Sequence, residues 1–131
     1  MKKIEVVAAI IRNEKEILCV QRAESKLPYI SKKFEFPGGK IEANETKREA
    51  LKRELKEELN IDVSINEFFL TIEHQYPDFE IVMHSFLVDV ESRELTLNEH
   101  ISHQWLSPNG LGPLDWAEAD LPIVEKLMKD E

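Results

Sequence analysis

Three glutamates in the middle of the chain have a spacing that could bring their carboxylates together. Glu54, Glu57 and Glu58 stand at positions i, i+3 and i+4, which share one face of an α-helix. Converging carboxylates repel one another, and a hard divalent cation such as Mg²⁺ or Mn²⁺, which prefers oxygen ligands, would relieve the repulsion. The three glutamates alone favour the plainer alternative, an exposed helix in which neighbouring lysines and arginines form salt bridges with them.

The helix that would carry these glutamates has a clear start signal and an apolar stripe. Thr46 and Glu49 have the spacing of a capping box. Three leucines at four-residue spacing form an apolar stripe that would face the core, namely Leu51, Leu55 and Leu59. The sequence therefore predicts an α-helix over residues 47–59.

The remaining elements are mostly β-like segments separated by turns. Strands are expected over residues 4–12, 16–22, 67–76, 79–90 and 103–107, with a short one ending at Pro37. Turns at residues 13–15 and at Pro77–Asp78 predict two hairpins. A short C-terminal helix is expected after Asp120 as N-cap, and its predicted core-facing residues are Leu121, Val124, Leu127 and Met128. The sum is an α+β fold with a mixed sheet and two helices.

Length and charge narrow the possible functions. The 131 residues fit one domain, residues 1–131. A net charge of −9 argues against binding to long nucleic acids. No apolar run approaches the roughly 18 residues of a membrane span, and the single cysteine, Cys19, favours the cytoplasm. Bases predominate over residues 22–40 and acids over 41–67, which suits a small polyanion bridged by a divalent cation, although ordinary surface charge would look similar.

The glutamates belong to a longer motif that resembles the Nudix box. Gly39 is followed after five residues by Glu45, and after seven more by Arg53 and the three glutamates. Asn60 is the only departure, because it stands where the box has glycine, and asparagine still tolerates the positive φ that ends such a helix. The stretches "IEVVAAII", "KKFEFPGGKIE" and "ADLPIVEKL" are similar to the MutT branch of the Nudix hydrolases, and most of all to its CTP/5-methyl-dCTP pyrophosphohydrolases.

This resemblance covers essentially the whole chain and implies a fold and a reaction. The fold would be the Nudix fold, a mixed β-sheet sandwiched between helices. The reaction would be hydrolysis of (deoxy)nucleoside triphosphates to monophosphate and pyrophosphate, with Mg²⁺ or else Mn²⁺ as cofactor. Arg53 would orient the glutamates, and Glu45 would support them. One glutamate would also take a proton from water, and the metal ligands would be Glu54, Glu57, Glu58 and a carbonyl of Gly38 or Gly39.

Three further positions gain roles only from the resemblance. Lys40 would face the phosphates, Arg22 would meet the nucleobase, and Glu99 would stand near the metal. Each has a plainer alternative, since Lys40 and Glu99 could be solvated side chains and Arg22 could form a surface ion pair.

Asp120 bears on the choice of base. MutT-like enzymes that prefer 8-oxo-dGTP tend to have asparagine here. An ionised aspartate only accepts hydrogen bonds and suits the N4 amino group of cytosine, whereas a protonated one could still bind an oxidised guanine. Tyr76 lies beside a turn and could stack on a base, although aromatic residues are more often core. The four histidines, His74, His84, His100 and His103, are given no catalytic role.

Two alternatives to this function stay open. The first is another Nudix substrate, such as ADP-ribose or a dinucleoside polyphosphate. The second is a non-catalytic Nudix-fold binding module, against which the intact glutamates argue. The expected role is nucleotide-pool sanitation or pyrimidine nucleotide turnover, by a monomer or homodimer.

Overall fold

A computed structural model describes residues 2–130, which form one seven-stranded sheet and two α-helices. The strands are β1 (Lys2–Asn13), β2 (Glu16–Arg22), β3 (Phe34–Glu35), β4 (Gly38–Lys40), β5 (Phe68–Gln75), β6 (Phe79–Asp89) and β7 (His100–Leu106). The helices are α1 (Lys47–Leu59) and α2 (Leu121–Lys129), and short 3₁₀ turns cover Pro108–Gly110 and Glu118–Asp120.

The sheet is mixed, as the sequence predicts. Its strands follow the order β3-β2-β1-β6-β5, with β4 paired to β1 and β7 paired to β2. The β1–β6 pair is parallel and the other pairs are antiparallel. Both predicted hairpins, β1–β2 and β5–β6, are confirmed. β4 was not expected, because the glycines that form it read as a turn, and β7 begins at His100, earlier than predicted.

The core lies on both faces of the sheet. Along β1, Val7 and Ala9 pack in the cluster under α1, whereas Ala8 and Ile10 pack in the cluster under α2. A strand buried on both faces needs a continuous apolar run instead of alternation, which explains the sequence of β1. The sandwich of a mixed sheet between helices is therefore confirmed.

Helix α1 has the predicted bounds and caps. The Glu49 amide donates to Thr46 Oγ1 over 3.1 Å, and the Thr46 amide donates to Glu49 Oε1 over 2.9 Å, so the capping box is complete. Asn60 adopts φ 57° and ψ 41° and its amide donates to Lys56 O. The replacement of the usual glycine by Asn60 thus leaves the end of the helix intact.

Helix α2 corrects two predictions about its residues. Val124 and Leu127 are buried with Ile123, but Leu121 and Met128 are 38% and 39% exposed. The buried stripe of a nine-residue helix covers one face, and these two residues lie at its margins. No helix within residues 2–130 combines the length and apolar character needed to cross a membrane.

Candidate active site

Three carboxylates meet beside the glycines of β4. Glu54 and Glu58 project from α1, and Glu99 comes from the segment before β7. One oxygen of each carboxylate lies within 4.8 Å of the others. The structure thus brings together two of the predicted helical glutamates with Glu99, from a distant part of the sequence.

Glu57 lies outside this group of three. Its side chain is 55% exposed, and its nearest ion-pair contact is Arg53 Nη1 at 3.3 Å. Helical geometry places Glu54 and Glu58 on one line along the helix, and Glu57 to the side of it. The role predicted for Glu57 as a metal ligand stays a prediction.

Arg53 holds the acidic residues of this region in place. Its Nε and Nη2 donate to the two oxygens of Glu45, over 2.6 and 2.9 Å. Its Nη1 donates to Glu54 Oε1 over 2.9 Å, and its Nη2 also donates to the carbonyl of Lys40 over 3.1 Å. The hydrogen bond from Arg53 lowers the pKa of Glu45 to about 2, so Glu45 stays ionised and anchors the guanidinium.

The two glycines of β4 allow the glutamates to approach the backbone. The amide of Gly38 donates to Glu58 Oε1 over 3.0 Å. A Cβ atom at position 39 would lie 2.5 Å from the carboxyl carbon of Glu54. Glycine at position 39 therefore makes room for the Glu54 carboxylate. The role of either glycine carbonyl as a metal ligand stays a prediction.

The carboxylates line a cavity of about 780 Å³, called the central cavity here. Its wall includes all four residues predicted to bind substrate, which are Arg22, Lys40, Tyr76 and Asp120. Arg22 Nη1 donates to Glu35 Oε1 over 3.3 Å. Arg22 therefore forms an ion pair, the alternative role predicted for it, and both partners line the cavity. Lys40 is exposed.

Tyr76 is buried and partly committed to the fold. Its hydroxyl accepts a hydrogen bond from the amide of Ala119 over 3.0 Å, and its ring stacks on Tyr29 with centroids 5.1 Å apart. Burial is the main cause that raises its pKa to about 12. The ring thus contributes to the core as well as to the wall of the central cavity.

Asp120 does not cap α2 through its side chain, in contrast to the prediction. Its Oδ1 instead accepts a hydrogen bond from the amide of Phe36 over 3.1 Å. Pro122, in the first turn of the helix, also has no amide hydrogen to offer a cap. Burial raises the pKa of Asp120 well above its usual range, and the charge of Glu35 adds to this effect.

Two residues of the site were not predicted. Glu35 Oε2 lies 3.0 Å from His100 Nε2, and both residues line the central cavity. An acid between two buried aromatic residues, Phe34 and Phe36, is the only local signal for Glu35. His100 carries no signal beyond its position next to Glu99.

The charge around the three carboxylates fits a divalent cation. Burial raises the pKa of Glu58 to about 9, with further contributions from Glu35, Glu54 and Glu99. Burial also raises the pKa of Glu54, against the lowering effect of Arg53. A cation held by Glu54, Glu58 and Glu99 would compensate this concentration of negative charge, and an all-oxygen donor set suits Mg²⁺ or Mn²⁺.

Comparison with known proteins agrees with this geometry. The NUDIX domain model matches residues 1–127. The 8-oxo-dGTP diphosphatase of Escherichia coli (strain K12) is 37% identical over 130 residues, covering 98% of this chain and 99% of the relative. The CTP pyrophosphohydrolase of the same organism is 38% identical over 129 residues, covering 98% of this chain and 93% of the relative.

A solved structure shows the same fold. It is the solution structure of the DNA mismatch repair protein MutT (family Nudix hydrolase) from methicillin-resistant Staphylococcus aureus 252, with a TM-score of 0.77 and 42% identity over 100% of both chains. Fold, carboxylate cluster and near full-length similarity together show that the chain belongs to the NUDIX family of hydrolases.

Proposed function

We propose that this protein hydrolyses nucleoside triphosphates to the monophosphate and pyrophosphate with Mg²⁺, or Mn²⁺ in its place. The single observation that carries the proposal is the meeting of Glu54, Glu58 and Glu99 beside a cavity of about 780 Å³. The two Escherichia coli relatives support the substrate class, since their names specify 8-oxo-dGTP and CTP.

The proposed metal ligands are Glu54, Glu57, Glu58 and Glu99, with a carbonyl of Gly38 or Gly39. When bound, the cation would neutralise phosphate charge and make an attacking water more acidic. Arg53 would keep Glu54 in position through the hydrogen bonds described above, and one of the helical glutamates would accept the proton of the water. Lys40 would pair with the phosphates as a flexible point charge.

The nucleobase would lie against Asp120, Tyr76 and Arg22. Phe36 N occupies Oδ1 of Asp120, which leaves Oδ2 for the base. Because burial favours the protonated form of Asp120, Oδ2 would donate a hydrogen bond to a carbonyl group. A guanine-type base, oxidised or not, presents such a carbonyl. Cytosine is the second candidate, because its N4 amino group would require the ionised form.

A hydrolysis panel tests the proposal. The substrates are 8-oxo-dGTP, dGTP, CTP, dCTP, 5-methyl-dCTP, ATP and ADP-ribose, each with Mg²⁺, and the products are separated by chromatography. Glu58→Gln should abolish turnover, whereas Glu125→Gln, an exposed change on α2, should leave it unchanged. Turnover of ADP-ribose alone would replace the proposed substrate class. No turnover with either cation would favour a binding module.

The biological setting is also a proposal. We expect the chain to act as one domain over residues 1–131, in the cytoplasm, as a monomer or homodimer. Removal of 8-oxo-dGTP would sanitise the nucleotide pool, and hydrolysis of CTP would serve pyrimidine turnover.

A further inference from the structure

His100 lies between two acids that line the central cavity, Glu35 and Glu58. It is the first residue of β7, directly after Glu99, and its side chain is 4% exposed. Its Nε2 lies 3.0 Å from Glu35 Oε2 and 3.8 Å from Glu58 Oε2. Glu35 belongs to β3, and Glu58 belongs to α1. One ring nitrogen therefore faces carboxylates from two separate elements.

The other hydrogen bonds of Glu35 and Glu58 show which of their oxygens face His100. Glu35 Oε1 accepts from Arg22, and Glu58 Oε1 accepts from the amide of Gly38. The remaining oxygen of each carboxylate is the one that faces His100. A carboxylate such as Glu35, which also accepts from Arg22, only accepts hydrogen bonds, so we assign the hydrogen between Nε2 and Glu35 Oε2 to Nε2. The positive end of the same N–H group lies near Glu58 Oε2, which favours the position of Glu58 beside Glu35.

The second ring nitrogen of His100 makes the burial of this residue costly. Its Nδ1 is buried without a hydrogen-bond partner among the described residues. Such a group costs free energy, which an apolar side chain of similar size would avoid. The contacts of Nε2 with Glu35 and Glu58 are therefore the ones that favour a histidine at this position.

We propose that His100 is a positioning residue that holds Glu58 against Gly38 in the geometry needed to bind the divalent cation. It does so by donating from Nε2 to Glu35 while facing Glu58. The proposal rests on the function proposed above. Groups that orient metal ligands typically change metal affinity by about 10–100-fold when they are removed.

The test compares His100→Asn with His100→Gln. Both variants carry a side-chain amide, but only glutamine is long enough to place its nitrogen near the position of Nε2. His100→Leu removes the donor entirely. His103→Leu is the matched control, because His103 is an exposed histidine on the same strand. Mn²⁺ affinity is measured without nucleotide, from the electron paramagnetic resonance signal of free Mn²⁺, and folding is checked by circular dichroism.

We expect His100→Asn and His100→Leu to bind Mn²⁺ about 10–100-fold more weakly, with the affinity restored by His100→Gln and unchanged by His103→Leu. In hydrolysis, kcat should fall in the asparagine variant and KM for nucleotide should change little. Equal Mn²⁺ affinity of the asparagine and glutamine variants would overturn the proposal. The comparison of these two variants tests the proposal even if the leucine variant does not fold. A wild-type protein that binds Mn²⁺ but hydrolyses no nucleotide would contradict the proposed function instead.

Discussion

Both carboxylate oxygens of Glu45 accept hydrogen bonds from the guanidinium of Arg53, over 2.6 and 2.9 Å. The same guanidinium donates to Glu54. The position of Glu54 in the cluster therefore depends on a residue that lies outside it. This relationship explains why the motif contains an acid, Glu45, that does not itself join the carboxylate cluster.

Replacing Arg53 with lysine should uncouple Glu54 from Glu45. Lysine keeps the charge but loses the planar set of donors that serves several acceptors at once. We expect kcat and metal affinity to fall by about 10–100-fold, as measured by steady-state hydrolysis and Mn²⁺ titration. Arg48→Lys is the matched control, since Arg48 lies on the same helix and donates to the carbonyls of Ile65 and Asn66. Equal activity of Arg53→Lys and Arg48→Lys would show that the paired hydrogen bonds are dispensable.

The two glycines of β4 should respond differently to alanine. At Gly38 a Cβ would lie 1.9 Å from the carbonyl oxygen of Val7, so Gly38→Ala should cost about 1–3 kcal/mol of stability. At Gly39 the Cβ meets the Glu54 carboxylate instead. Gly39→Ala should therefore keep most of the stability but lower kcat on the order of 100-fold, because Glu54 is displaced. Thermal unfolding and hydrolysis rates measure the two effects. Full activity of Gly39→Ala would mean that Glu54 can move without loss.

Asp120 should make the fold less stable as the pH rises. Burial raises its pKa in the folded state above the ordinary value of 3.8. Below 3.8 the group is protonated in both the folded and the unfolded state, so its titration does not change stability there. Between 3.8 and the folded-state pKa the unfolded state binds fewer protons than the folded state, so the free energy of unfolding falls as the pH rises and levels off above the folded-state pKa.

Asp120→Asn removes this titration and keeps an acceptor for the amide of Phe36. The stability of the variant relative to the wild type should therefore be greater at pH 8 than at pH 4. Urea unfolding at both pH values measures the change. A difference that is the same at pH 4 and pH 8 would mean that Asp120 titrates normally in the folded protein.

Cys19 should resist thiol reagents in the folded protein. It is buried in β2, and burial raises its pKa to about 12. Because the thiolate is the reactive form, we expect almost no reaction with a disulfide reagent at pH 8 until denaturant is added. Absorbance of the released thiolate follows the reaction. Rapid labelling of one thiol per chain without denaturant would place Cys19 outside the core.

The parts of this protein that were predicted from sequence depend on local signals. The bounds of α1 follow from its capping box, its leucine spacing and Asn60, all within residues 46–60. The contact between Glu35 and His100 joins residues 65 positions apart, and it depends on how β3 and β7 pair with β2. The sequence around Asp120 predicts a helix cap. Its side chain instead accepts a hydrogen bond from the amide of Phe36, 84 positions away. Such contacts depend on how segments far apart in the sequence pack together, and the residues next to Glu35, His100 or Asp120 do not specify that packing.

The most direct test of the account is the release of pyrophosphate from 8-oxo-dGTP and CTP, followed over time in Mg²⁺ for the wild type and for Glu58→Gln. We predict equal amounts of monophosphate and pyrophosphate, an end to turnover when EDTA is added, and no turnover by Glu58→Gln. Release of orthophosphate instead of pyrophosphate, or undiminished turnover by Glu58→Gln, would contradict the claim that the carboxylate cluster drives this hydrolysis.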